Sequence, residues 1–129
     1  MKVLLVSANN EKYPYPVAPI GAAYIAQALR SKGHDIRLID LCFVEDGCSV
    51  ITEALKDFDP DVIGISIRNI DNLTYNKSIF YMPRIRRIVD FIKKQIHHEN
   101  QKNLYHFFNK HLVYCKFSPT IFLCKRKFF

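Results

Sequence analysis

Three short apolar runs, each followed by a stretch of helical periodicity, restrict this chain to very few folds. The first run, Lys2–Ser7, reads KVLLVS. Four consecutive apolar residues with a β-branched bias suit a strand buried on both faces. The second run, Asp35–Leu41, reads DIRLIDL, and the third, Val62–Ile67, reads VIGISI. A polar stretch ends the first run, and Tyr13-Pro14-Tyr15-Pro16 predicts an extended loop. Pro19 then opens a helix, PIGAAYIAQALRSKG, with Ile20, Ala23, Tyr24, Ala28 and Leu29 expected on its apolar face and Gly33 ending it. After a loop over 42–48, Ser49 is expected to cap a helix Val50–Phe58 that buries Ile51, Leu55 and Phe58. Pro60 stops that helix. A polar loop, Arg68–Ser78, leads to a helix near Tyr81–Ile96, where Ile85, Ile88, Val89, Ile92 and Ile96 recur at helical spacing and Pro83 sits in the first turn.

The resulting β-α-β-α-β-α order predicts parallel strands joined by right-handed crossovers. The expected fold class is α/β: a flavodoxin-like (Rossmann-like) open parallel sheet, incomplete with three clear strands, and an irregular C-terminal tail. In that strand order the first and third strands are neighbours. Ligands bind beyond their carboxyl ends, where the connections diverge.

The rhythm stops after residue 96. Residues 97–129 contain no Gly, Ala or Asp, yet hold 6 of the 10 Phe and 4 of the 5 His. The expected division is a partial ligand-binding domain over 1–96 and a divergent or out-of-frame tail over 97–129. Enrichment in Phe, Lys, Asn, Ile and Tyr is what AT-rich DNA read out of frame encodes. Within the tail, Leu112–Tyr114 and Thr120–Leu123 are the two runs able to form makeshift strands.

Charge follows the same division. Residues 1–96 carry 13 Lys+Arg against 11 Asp+Glu, whereas 97–129 carry 6 against 1. A nearly balanced body argues against nucleic acid as a partner, because a polyanion would be steered by a basic face on the folded part. The N-terminus lacks a signal-peptide pattern, and no run approaches the ~18 apolar residues of a membrane span. A reducing, cytoplasmic setting with free thiols is therefore expected. His97, His98, His106, His111, Cys115 and Cys124 match no standard pairing of zinc ligands, so no metal site is assigned.

Candidate binding residues lie where the switch point falls. Ser7-Ala8-Asn9-Asn10-Glu11 follows the first strand, and Ser66-Ile67-Arg68-Asn69-Ile70-Asp71-Asn72 ends and follows the third. Both segments offer hydroxyl, amide or guanidinium donors. The start of the first helix, Val17-Ala18-Pro19-Ile20-Gly21, is built from small or stiff residues that allow a flat ligand or an anion to come close. A dinucleotide GxGxxG and a GxxxxGKS/T phosphate loop are both absent. So are the acidic residues of a phosphoacceptor receiver and the hydroxyl-rich loop of a flavodoxin.

Three segments, KVLLVSANNEKYPYPVAPIGAAYIAQALRSKGHDIRLIDL, DPDVIGISIRNIDN and YMPRIRRIVDFIKK, resemble the N-terminal cobalamin-binding domain of B12-dependent radical SAM proteins. The resemblance covers residues 1–96. It implies a corrin resting over the carboxyl ends of the strands. It makes Ser7, Ala8, Asn9, Pro19, Ile20, Gly21, Ser66, Ile67, Arg68 and Asn69 cofactor-binding positions, with Asp71 and Asn72 next in line. There is no DxHxxG after the first strand, hence no histidine for the lower face of cobalt. The family's Gly-rich segment after a fourth strand has no counterpart. No CxxxCxxC is present, so no iron–sulfur cluster and no catalytic residue are assigned. The expected function is a cobalamin-binding module of a radical SAM-type enzyme, truncated before its catalytic barrel. The alternatives are a cobalamin-binding subunit working in trans with a separate radical SAM polypeptide, and a non-functional truncation product with an open sheet edge beside the third strand.

Overall fold

A computed structural model of the chain describes residues 1–72, 77–99, 113–114 and 120–124, with side chains described only up to residue 96. The element order is β1 (Lys2–Ser7), α1 (Ile20–Ser31), β2 (Asp35–Asp40), a 3-10 turn (Leu41–Phe43), α2 (Gly47–Phe58), β3 (Val62–Ser66), α3 (Met82–Glu99), β4 (Val113–Tyr114) and β5 (Thr120–Cys124). The sheet runs in the order β2-β1-β3-β5-β4. β1 pairs in parallel with β2 on one side and β3 on the other, as the alternating pattern predicts.

The two faces of the sheet are filled differently. On one face Leu4, Val6, Ile63 and Ile65 pack with Ile51, Ala54, Leu55 and Phe58 of α2 and with Ile85, Ile92 and Ile96 of α3. On the other, Val3 and Leu5 of β1 and Ile36 of β2 meet Ala26 of α1, with Ile25 and Leu29 partly buried beside them. Alternate residues of β1 therefore face opposite helical layers, which is why its apolar run is unbroken. At the amino ends of the strands, Asp61 ties β3 to β1: its N–H donates to Lys2 O at 2.8 Å, and its Oδ2 accepts from Lys2 N–H at 2.9 Å.

The α1 face differs from expectation. Ala22 and Ala26 are its buried residues, whereas Ile20 and Tyr24 are 60% and 75% exposed, and Ala23 and Ala28 are exposed as well. Apolar residues lie all around this helix, so hydrophobicity alone does not orient it. The small side chains turn inward because they allow the helix backbone to approach the sheet. Of the residues expected inside, Leu29 is the one on the core side. The end of α1 follows the sequence signal. Gly33, at φ 79°, donates to Arg30 O, and His34 N–H reaches back to Leu29 O.

α2 begins earlier than expected, and its cap is Asp46 rather than Ser49. The Asp46 Oδ1 accepts from Cys48 N–H at 3.0 Å and Ser49 N–H at 3.2 Å. A carboxylate at the N-cap also meets the positive end of the helix dipole, an advantage Ser49 lacks. The helix ends at Asp59, which adopts a left-handed conformation before Pro60.

The edge of β3, open under the truncation-product alternative, is covered. β5 pairs with it antiparallel from Val62↔Cys124 to Ser66↔Thr120, and β4 pairs with β5. The segments expected as makeshift strands do form strands, so the tail is not wholly irregular. Leu112, residues 125–129 and the side chains of the tail histidines and cysteines lie outside the described residues. No helix among the described residues is long and apolar enough to cross a membrane.

Ile92 is fully buried between α3 and the sheet. Ile92→Ala is expected to lower unfolding free energy by about 2–5 kcal/mol, measured by urea denaturation, because a cavity remains where the side chain was.

Candidate functional site

The register of β1 and β3 builds the site. Ser7 lies opposite Ser66 at the carboxyl ends of the two strands, and Ala8 N–H continues the pairing to Ser66 O at 3.0 Å. The two following loops therefore leave the sheet side by side. Beneath them the chain supplies buried floor: Ser7, Ala8 and Ile67 are all nearly closed to solvent.

A cleft of about 300 Å³ opens above this floor, lined by Ser7, Asn9, Val17, Ala18, Pro19, Ile20, Gly21, Ser66, Ile67 and Arg68. Beside it lies a niche of about 10 Å³, room for one water, lined by Ala8, Asn9, Asn10, Arg68, Asn69, Tyr81, Arg84 and Ile85. The structure thus gathers Ser7, Asn9, Pro19, Ile20, Gly21, Ser66, Ile67 and Arg68 around one opening. It places Ala8 and Asn69 in the adjoining niche, and Asn9 and Arg68 line both. Asp71 and Asn72, the second-line candidates, line neither. Asp71 forms a bridge with Phe80, and the Asn72 side chain ties its own turn by donating to Lys77 O and accepting from Ile79 N–H.

The chemistry of the cleft is mixed. Val17, Ala18, Pro19, Ile20 and Ile67 form apolar walls, and Ser7, Asn9, Ser66 and Arg68 supply polar groups. Pro19 caps α1 without any side-chain hydrogen bond, and the first turn carries no acidic residue. The positive end of that helix and the Arg68 guanidinium both favour electron-rich ligand atoms here. A Cβ built on Gly21 meets nothing within 4 Å, so this position leaves free space. The Asn9 Nδ2 is buried and has no hydrogen-bond partner. A buried orphan donor in a cleft wall is what a ligand acceptor would satisfy.

Sequence reasoning missed Tyr81 and Arg84 as site residues, whereas Asn10, in the candidate loop after β1, does line the niche. Tyr81 reaches the site from 70 positions away in sequence, donating its hydroxyl to Glu11 Oε2 at 2.7 Å. Glu11 Oε1 also accepts the Tyr13 backbone N–H at 2.9 Å. These bonds, the Tyr13 N–H foremost, hold the Glu11 carboxyl below its usual range, and the same carboxylate raises the Tyr81 phenol. No local pattern announces such a contact. Among the described residues no group of three or more His, Cys, Asp or Glu is gathered to hold a metal ion.

Three parallel strands with polar turns after β1 and β3, opening onto a half-apolar cleft, define a Rossmann-like ligand-binding domain. The chain belongs to the B12-binding domain family, whose model matches residues 6–99. Over 71 residues it is 37% identical to an uncharacterised methyltransferase of Pyrococcus horikoshii, covering 51% of this chain and 15% of that protein. The radical S-adenosylmethionine methyltransferase TsrM from Kitasatospora setae, solved with tryptophan substrate and a SAM analogue, matches with a TM-score of 0.67 and 26% identity over 73% of this chain. The TsrM structure with cobalamin and a 4Fe–4S cluster bound matches with the same score and identity. This chain spans 17% and 16% of the two TsrM chains.

The Glu11 shift has a consequence for stability. A carboxyl whose folded-state pKa is depressed adds stability above its unfolded pKa and loses it as pH falls through the lower folded value. The stability advantage of the wild type over Glu11→Gln is therefore expected to be constant near neutrality and to shrink only in acid, below the ordinary carboxylate range. Urea midpoints across a pH series check this.

Proposed function

We propose that this chain is a corrinoid-binding module that cradles cobalamin on the shelf at the carboxyl ends of β1 and β3, in service of a radical SAM-type methyltransferase. The observation that carries the proposal is the meeting of Ser7, Asn9, Ser66 and Arg68 with the small-residue start of α1 around one cleft. A corrin is a flat apolar ring with a rim of amides. Pro19, Ile20 and Gly21 offer it a close, apolar approach, and Ser7, Asn9, Ser66, Arg68 and Asn69 offer donors for its rim. Ala8 and Ile67 form the floor beneath. The unpartnered Asn9 Nδ2 and the open direction at Gly21 both fit such a ligand. A cleft of about 300 Å³ holds only one edge of so large a cofactor, so the opposite face is left for another domain or subunit.

When bound, cobalamin supplies a cobalt centre able to carry a methyl group. The chain's own part is to hold and orient the ring. The loops after β1 and β3 contain no histidine, and His34 sits before β2, at the opposite end of the sheet. Among the described residues, none would offer an imidazole to a cobalt held on this shelf. The sequence lacks CxxxCxxC, so cleavage of S-adenosylmethionine falls to a barrel outside these residues, in the same or a separate polypeptide.

Titration with hydroxocobalamin, followed in the visible corrin bands, tests the reading; an unchanged spectrum together with free passage of cofactor through a gel-filtration column rejects it. Gly21 sharpens the test. Gly21→Ala is expected to be neutral or to stabilise by up to about 1 kcal/mol through helix propensity, since its Cβ meets nothing. Gly21→Leu is expected to keep the fold while its side chain obstructs the cleft, weakening cobalamin binding by about tenfold or more, equivalent to ~1.4 kcal/mol.

A further inference from the structure

Asn9 stands in the wall shared by the cleft and the niche. Its Oδ1 accepts the backbone N–H of Glu11 at 3.3 Å. An N–H must face an oxygen, so this bond decides which way the amide points. Nδ2 then faces away from Glu11, buried and without a partner. Asn9 is left as a donor with no acceptor.

Glu11 is itself held from several sides. Its carboxylate accepts from Tyr13 N–H and from the Tyr81 hydroxyl, and its carbonyl oxygen accepts from the Cys42 thiol at 3.7 Å. Tyr81 N–H donates in turn to Ile70 O at 2.8 Å, in the segment that follows β3. One pair of side chains thus fastens the loop after β1 to the start of α3 and, through Tyr81, to the loop after β3. The Tyr13 N–H first and the Tyr81 hydroxyl next hold the Glu11 carboxyl below its usual range, with the Arg84 charge adding least.

Building on the corrinoid-binding reading, we propose that Glu11 and Tyr81 form a latch that fixes Asn9 as a hydrogen-bond donor to an amide carbonyl on the corrin rim. The acceptor is a neutral carbonyl because the donor is a neutral amide beside apolar walls. A phosphate in the same cleft is better matched by the Arg68 guanidinium and the open end of α1. Glu11 and Tyr81 act through Asn9 and are positioning residues.

The test uses two probes: hydroxocobalamin, and dicyanocobinamide, which keeps the ring amides but lacks the nucleotide and its linking phosphodiester. Asn9→Asp retains the oxygen that Glu11 N–H needs and replaces the donor with an oxygen. It is expected to weaken both corrinoids by about tenfold or more and, because the new carboxylate oxygen is buried, to lower the unfolding midpoint while far-UV circular dichroism still reports the wild-type fold. Tyr81→Phe is expected to weaken both by a smaller factor. Glu11→Gln, which still offers Tyr81 an acceptor, is expected to retain most of the affinity. Unchanged affinity of Asn9→Asp for both probes overturns the inference, because the donor then serves only a water in the niche. A loss confined to hydroxocobalamin also overturns it, since the acceptor is then the phosphate. Unchanged affinity of a folded Tyr81→Phe removes the latch. Should the wild type bind neither corrinoid, the corrinoid-binding reading itself fails, and the latch proposal with it.

Discussion

The parallel pairing of β1 with β3 is the constraint on which the site depends. Register places Ser7 beside Ser66, and the next backbone bond, Ala8 N–H to Ser66 O, carries the alignment just past the strands. Two loops with no sequence relationship are thereby brought to one edge, facing the same way. A shift of β1 by one residue would exchange its two faces, setting Leu4 and Val6 against α1 and Val3 and Leu5 against α2 and α3, so the two unlike cores hold the register. The core and the site share one cause: Val6 and Ile65 are buried because the strands are aligned, and the same alignment sets Asn9 and Arg68 around one opening.

The division of labour between the two helical layers follows. α2 and α3 bury large side chains against one face, and α1 buries alanines against the other. A helix seated on small residues lies close to the sheet, which brings Pro19, Ile20 and Gly21 to the cleft wall. The same arrangement leaves Ile20 and Tyr24 exposed. The Glu11–Tyr81 bond completes the frame, because it links the β1 loop to the layer carrying α3. Backbone pairing aligns the strands, and this side-chain contact joins the loops beyond them.

The edge of β3 shows a different solution to a familiar difficulty. In a doubly wound sheet a further parallel strand, reached through a crossover, normally lies there. In this chain the strand beside β3 is β5, running antiparallel, with β4 beyond it. The unpaired N–H and C=O groups of β3 are met without a crossover. Thr120, the first residue of β5, takes the register position opposite Ser66, so the antiparallel strand begins at the rim of the cleft.

Much of this was legible in the sequence. The strand and helix periods of residues 1–96, the end of α1 at Gly33 and the two loops of the shelf all follow from local patterns of burial and turn chemistry. The members of the cleft were legible too, because strand order assigns loops to an edge without any knowledge of side-chain positions. The tertiary structure decided what local pattern leaves degenerate. α1 is apolar all round, so only its seat on the sheet chose Ala22 and Ala26 over Ile20 and Tyr24. Asp46 and Ser49 are both competent caps, and the start of α2 selected the carboxylate. Tyr81 and Glu11 are ordinary loop residues until the fold closes a gap of 70 positions between them. Periodicity reports which way a residue faces within its own element, whereas a contact between distant elements exists only once both are packed.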